Sequence, residues 1–289
     1  MNDTSSRTPR RRRISGLSVH RLIPNLLTTF ALCAGLTSIR FSVAGLWELA
    51  VTAIVIAAIL DFLDGGVARL LKASSPLGAQ LDSLSDFVCF GVAPAILLYL
   101  WSLNDAGSLG WLVALAFSIC AAMRLARFNV RLESSNLPAW ARAYFTGVPS
   151  PAGAGLALLP VIVSFQTDPV LAEFPVLLAI WTTAIGLLMV SNLPTFSLKK
   201  LRIPERFQIV VLVGLGLSIA ALFSAPWQTL TVMALAYLAT LPISYLRYRR
   251  QARAAEETGT VPEDPLVYDE PEDEDQTAEL DADEGPGKL

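Results

Sequence analysis

The chain reads as an all-α protein, a polytopic membrane helix bundle of about eight transmembrane helices. Three observations predict this. Charge is scarce and unevenly placed: 53% of the residues are hydrophobic and 16% charged, against roughly 25% charged in ordinary soluble domains. Between Leu22 and Tyr248 the charges are scattered through apolar sequence, whereas both ends are polar. Apolar runs recur at the length of about 20 helical residues that crosses a hydrocarbon core about 30 Å thick. Finally, Lys and Arg collect in alternate connections between those runs. Lipid offers no partner for an exposed backbone group, so the runs are expected to be helices.

Taken in order, residues 1–21 form a basic tail containing Arg10, Arg11, Arg12 and Arg13. It sets topology or meets anionic headgroups. The first apolar run continues to Phe41 without a cleavage site, which predicts a retained span rather than a signal peptide. The expected spans are Leu22–Phe41, Leu46–Leu71, Leu77–Leu103, Leu109–Val130, Pro149–Phe165, Val170–Val190, Phe207–Phe223 and Trp227–Leu246. If each one crosses, the N-terminal arginines, Arg69 and Lys72, Arg131 and Arg142, Lys199 through Arg206, and Arg247 through Arg253 share one side. The other side holds Arg40 beside Glu48, Asp105, Asp168 and Glu173. Positive charge marks the cytoplasmic side, so both termini are expected there, with residues 22–248 forming the transmembrane domain. Residues 249–289 become dense in Asp and Glu and are expected to form a disordered acidic tail. Cys33, Cys89 and Cys120 lie in apolar runs without paired spacing, which argues against disulfides and zinc.

Chemistry concentrates in one stretch. Asp61 and Asp64 are three apart near the end of the second span; Asp82 and Asp86 are four apart near the start of the third. Both spacings place a pair on one helix face. The connection between the two spans is short, so antiparallel helices should bring four carboxylates to one depth near the cytoplasmic side. Like charges sharing a membrane site are costly, and ionisable groups within spans mark function. One or two divalent cations would resolve the repulsion, and an all-carboxylate set suits hard cations such as Mg²⁺ or Mn²⁺. The competing reading is a solvated helix end or a network with Arg69, which leaves the regular spacing and the small residues between the aspartates unexplained. Gly65 and Gly66 permit close approach of a ligand or backbone, and Arg69 offers a planar fork to a phosphate.

The pattern D-x2-D-G-x2-A-R-x8-G-x3-D-x3-D, which runs from Asp61 to Asp86, resembles the signature of the CDP-alcohol phosphotransferases at every fixed position. That resemblance implies a six-helix core of this family and a two-metal site held by Asp61, Asp64, Asp82 and Asp86, with Asp86 as general base. It also implies contacts to the CDP headgroup from Gly65, Ala68, Arg69, Ser75 and Gly78. In the first span, Pro24-Asn25-Leu-Leu-Thr28 is similar to the family's Asn/Thr contribution to the nucleotide site. The family further implies a homodimer.

Three more stretches resemble the serine-accepting branch of that family: Arg124-Leu-Ala-Arg127-Phe128-Asn129, Phe145 through Ala152, and Val190-Ser191-Asn192 with Lys199-Lys200. The implied reaction converts CDP-diacylglycerol and L-serine into phosphatidylserine and CMP at a bacterial inner membrane, with no nucleic-acid partner. Serine is a zwitterion, and Arg124, Arg127, Asn129, Lys199 and Lys200 are the candidates to meet it. Gly147-Val-Pro149-Ser150-Pro151 should interrupt regular helix at the membrane edge. The alternatives are the same chemistry with glycerol phosphate, inositol or choline, and, in another class, a cation-coupled transporter. A choline site would favour an aromatic cage. A transporter would favour midplane carboxylates and an internal repeat, and no repeat is found.

Overall fold

The computed structural model describes residues 19–71, 75–133, 144–167, 170–191, 194–196 and 205–257. Helix α1 (Val19–Val43) and helix α2 (Trp47–Leu70) form an antiparallel pair. Their turn is closed by Gly45, whose φ of 71° puts it in the left-handed region. The Leu46 amide then reaches back to the Phe41 carbonyl at 2.9 Å, satisfying a helix-end acceptor. Gly45 is thus required by conformation, since other residues resist that φ.

The third expected span is one rod of three textures. Helix α3 (Pro76–Asp86) passes through a π-helical stretch (Phe87–Val92) into helix α4 (Ala93–Trp101). Pro94 supplies a cause. It has no N–H, so it cannot make the regular backbone bond to residue 90, and the Ala93 amide bonds to the Val88 carbonyl five residues back. A short 3₁₀ turn (Leu103–Ala106) leads to helix α5 (Ser108–Glu133).

The fifth expected span divides in two, as helix α6 (Ser150–Ala157) and helix α7 (Leu159–Ser164). Pro160 again removes an amide, here the partner of the Leu156 carbonyl. That carbonyl accepts the Trp181 indole N–H at 2.9 Å instead. Trp181 belongs to helix α8 (Pro175–Val190), which follows a 3₁₀ turn at Val170–Glu173. Helix α9 (Glu205–Ser224) and helix α10 (Pro226–Glu257) complete the chain's described elements. Helix α10 runs on into the segment expected as the acidic tail; residues 258–289 lie outside those described. Strand β1 (Tyr144–Thr146) pairs antiparallel with strand β2 (Pro194–Phe196), with Phe145 opposite Thr195. This small clip joins the α5–α6 and α8–α9 connections in an otherwise helical fold.

Among the described residues, five segments are long and apolar enough to cross a membrane: Leu22–Val43, Trp47–Leu70, Pro76–Trp101, Ser108–Val130 and Pro226–Leu246. These match the expected spans one to four and eight. The sixth and seventh correspond to shorter apolar helices, Pro175–Val190 and Leu212–Ser224. The packing fits a lipid solvent. Ala50, Ala57, Ala93, Leu97, Leu98 and Phe117 are buried at the centre, while Leu26, Phe30, Ile56, Ile59 and Phe62 are exposed on the outer faces of α1 and α2. Small residues on the facing sides let helices approach closely. A Cβ at Gly35 would lie 2.6 Å from Cys89 Sγ, and one at Gly91 would lie 3.0 Å from Ala121 Cβ.

Candidate active site

Helices α2 and α3 both pack on α1, and the end of α2 and the start of α3 bring their aspartates together. Carboxylate oxygens of Asp61, Asp64 and Asp82 all lie within 4.8 Å of one another. Two unit charges at that separation repel by roughly 3 kcal/mol at an effective dielectric of about 20. Asp64 is only 5% exposed, so water screens this repulsion poorly. The donor set is all oxygen and all carboxylate, which fits a hard divalent cation. Asp86, the last residue of α3, stands just outside the group of three and meets Asp61 through a side-chain hydrogen bond.

Helix α1 supports this cluster from behind. The Thr28 hydroxyl donates to Asp64 Oδ2 at 2.5 Å; Thr28 Oγ1 also lies 3.1 Å from the Pro24 carbonyl. A hydrogen bond to an ionised acceptor is the stronger type, so Thr28 orients one carboxylate. Ser85 Oγ donates to the Thr28 carbonyl at 3.3 Å, and Cys89 Sγ to the Ala31 carbonyl at 3.2 Å. The aspartate-bearing rod is thereby held in register with α1.

Three of the residues expected around the nucleotide also converge. Ser75 caps α3, accepting the Gly78 amide at 3.0 Å, with Pro76 at the first helical position. A Cβ on Gly78 would sit 2.7 Å from Asn25 Oδ1 and 3.0 Å from Ser75 Oγ. Glycine is needed here for close approach, and Asn25, Ser75 and Gly78 meet at one point. Arg69 is exposed at the end of α2, its Nη1 3.7 Å from where a Gly65 Cβ would lie. Ala68 is half-buried on the same turn.

The candidates for serine separate into two groups. Arg124 donates from Nη1 to Ser150 Oγ at 2.9 Å, and its guanidinium carbon lies 5.6 Å from the Phe128 ring centroid. Arg124 also lies within charge-interaction range of Asp86 and Asp61. Arg127 donates to the Val190 carbonyl at 2.6 Å, so it braces the end of α8. Asn129 donates from Nδ2 to Ser83 Oγ at 3.0 Å, tying α5 to the residue beside Asp82. Lys199 and Lys200 lie outside the described residues. Sequence reasoning missed Ser83 and Ser85. Their signal was present in the run Asp82-Ser-Leu-Ser-Asp86, where a small hydroxyl follows or precedes each aspartate.

The segment that leads into α6 is shaped for close contact. Gly147 has φ of 76°, and a Cβ there would press into the carbonyl oxygens of Met189 and Ser191. Pro149 then starts α6, with Ser150 fully buried beneath Arg124. The expected break in regular helix is found at this point.

The chain resembles known proteins throughout this region. The family model for CDP-alcohol phosphatidyltransferase matches residues 21–193, and that for CDP-alcohol phosphatidyltransferase 2 matches residues 208–242. A Mycobacterium leprae protein named CDP-diacylglycerol–serine O-phosphatidyltransferase is 37% identical over 236 residues, covering 82% of this chain and 77% of its own. A Mycobacterium tuberculosis protein of the same name is 35% identical over 248 residues, covering 86% and 85%. One from Bacillus subtilis, also of that name, is 40% identical over 178 residues, covering 62% and 92%. With the family signature, the clustered aspartates and these matches together, the chain belongs to the CDP-alcohol phosphatidyltransferase family.

Proposed function

We propose that this protein transfers the phosphatidyl group of CDP-diacylglycerol to the hydroxyl of L-serine, releasing CMP. The observation that carries the reading is the convergence of Asp61, Asp64 and Asp82, with Thr28 braced behind them. The acceptor follows from the shared name of relatives at 35–40% identity. Asp61, Asp64, Asp82 and Asp86 would hold two divalent cations, magnesium or manganese, which when bound neutralise pyrophosphate oxygens and ease departure of CMP.

The chain's own side chains do the remaining work. Asn25, Ser75 and Gly78 seat the nucleotide, with Thr28, Gly65 and Ala68 lining the approach, and Arg69 faces a phosphate as a planar donor. Asp86 accepts the proton of the serine hydroxyl. The serine oxygen forms its bond to the lipid-linked phosphorus as the bond from phosphorus to the CMP oxygen breaks. Arg124, within charge-interaction range of Asp86, receives the serine carboxylate; Arg127, Asn129, Lys199 and Lys200 are further candidates to meet serine. The acyl chains stay in lipid beside the exposed apolar faces.

Residues 22–248 form the catalytic domain between a basic tail (1–21) and an acidic tail (249–289), as a homodimer in the bacterial inner membrane with both termini cytoplasmic. The alternation of basic connections supports this orientation. The test is a headgroup-exchange assay on purified protein in detergent with CDP-diacylglycerol and Mg²⁺ or Mn²⁺. L-Serine, glycerol 3-phosphate, inositol and choline are offered separately. CMP release with phosphatidylserine formation is expected only with serine, and is abolished by a chelator. Lipid product with a different alcohol would overturn the acceptor, and turnover undiminished by chelation would overturn the metal site.

A further inference from the structure

Helix α10 lays one face on the core. Trp227, Leu230, Ala234, Tyr237, Leu238 and Leu241 recur at the three- and four-residue spacing of a single helix stripe. Apolar packing against the core accounts for the other five side chains. It does not account for the Tyr237 hydroxyl, which is buried without a hydrogen-bond partner among the described residues. A phenylalanine would fill the same space without leaving a donor unmade. Tyr237 also lies within charge-interaction range of Arg124.

Arg124 thus has both Asp86 of the aspartate end and Tyr237 within charge-interaction range, and its hydrogen-bond partner Ser150 lies on α6, which α10 contacts. Ser150 and Phe128 fix its guanidinium, Ser150 by a hydrogen bond and Phe128 by its ring face. The guanidinium carries further N–H donors, and the phenol supplies an O–H donor. A ligand that satisfies both must offer acceptor lone pairs to two donors, and the cation favours an anion. A carboxylate meets both needs. Its neighbour on the other side is Asp86, where the acceptor's hydroxyl would lose its proton.

We infer that Tyr237 is a specificity residue that clamps the α-carboxylate of the acceptor together with Arg124, so that α10 completes the acceptor pocket. The inference rests on the serine reading above and adds a residue from a helix far from the aspartate signature. An acceptor without a carboxylate leaves the phenol buried and unpaired, and a site of that kind rejects ligands that fail to satisfy its polar groups.

The test is Tyr237→Phe in full-length protein in detergent, run beside the wild type. The expected result is a rise of about tenfold in KM for L-serine, with kcat and the KM for CDP-diacylglycerol unchanged. The melting temperature, read by tryptophan fluorescence without serine, should hold or rise, because a buried unpaired hydroxyl has been removed. An unchanged KM for serine would overturn the inference. So would a lower melting temperature with a uniform loss of kcat, which would make Tyr237 a packing residue. If the wild type uses another alcohol and not serine, the serine reading fails and this inference with it. If the wild type uses serine and Tyr237→Phe is indistinguishable from it, the inference alone fails.

Discussion

The two ends of the bundle are joined by different forces. At the aspartate end, helices meet through polar side chains: Thr28 to Asp64, Ser85 to the Thr28 carbonyl, Asn129 to Ser83. At the opposite end, Ala50, Val51, Leu97, Leu98 and Leu103 are buried in apolar contact. The Tyr99 and Trp111 rings meet edge to face there at 5.1 Å, and the Tyr99 hydroxyl donates to Asn104 at 2.9 Å. In lipid, van der Waals packing rather than water exclusion drives such association. The aspartate end gathers like charges that oppose folding, and the apolar end carries no such burden. Activity and stability are therefore expected to respond separately to substitutions at the two ends.

The largest effect should come from Asp82→Asn. Loss of one carboxylate from the cation site should lower turnover by about 10³-fold, the scale of several kcal/mol of charge stabilisation. The melting temperature should not fall, because one of three repelling groups has been neutralised. Phosphatidylserine formation and thermal unfolding on the same preparation check both halves. Substantial destabilisation would mean that the carboxylates also hold the aspartate end together.

Leu98→Ala addresses the other end. It should cost about 2 kcal/mol of stability through the cavity it leaves, seen as a lower unfolding midpoint. KM for both substrates should stay as in the parent. A shift in either KM would show that packing at the apolar end positions the aspartates through the α3–α4 rod.

The smallest effect expected is that of Gly78→Ala. The new methyl would meet Asn25 Oδ1 at 2.7 Å and force that side chain to move. A rise of about tenfold in KM for CDP-diacylglycerol should result, with KM for serine unchanged. Adding Asn25→Ala to Gly78→Ala should give less than the sum of the two losses, since neighbours in contact are not additive. Full additivity would separate Gly78 from Asn25.

The aspartate pattern was legible because helix periodicity alone puts residues three and four apart on one face, and a short connection returns the start of α3 to the end of α2, where Asp61, Asp64 and Asp82 meet; the two helices pack on α1 rather than along each other. The long spans were legible because charge is excluded from lipid. The division of the fifth span was harder to read. Pro160 announces a missing amide, but the rescue of the Leu156 carbonyl comes from Trp181 in a different helix, a contact no local pattern encodes. The pairing of β1 with β2 joins connections far apart in sequence and was missed for the same reason. Asn25 could be placed near the nucleotide by resemblance, but its contact with the Gly78 backbone depends on how α1 crosses α3. The bond from Arg127 Nη1 to the Val190 carbonyl likewise joins α5 to the end of α8, a pairing that no local pattern encodes.

The π-helical stretch between Asp86 and Ala93 acts as a change of phase. An α-helix turns about 100° with each residue, so two functions spaced along one rod are ordinarily locked to a single angular relation. Passing through Phe87–Val92, the rod slips against that rhythm. The aspartates can then be timed to face α2 while Leu97 and Leu98 are timed, independently, to face the bundle's centre. Were Phe87–Val92 wound instead as regular α-helix with no residue removed, the slip would be lost and one of these faces would turn away by about a quarter revolution, although every aspartate would still be present in the sequence.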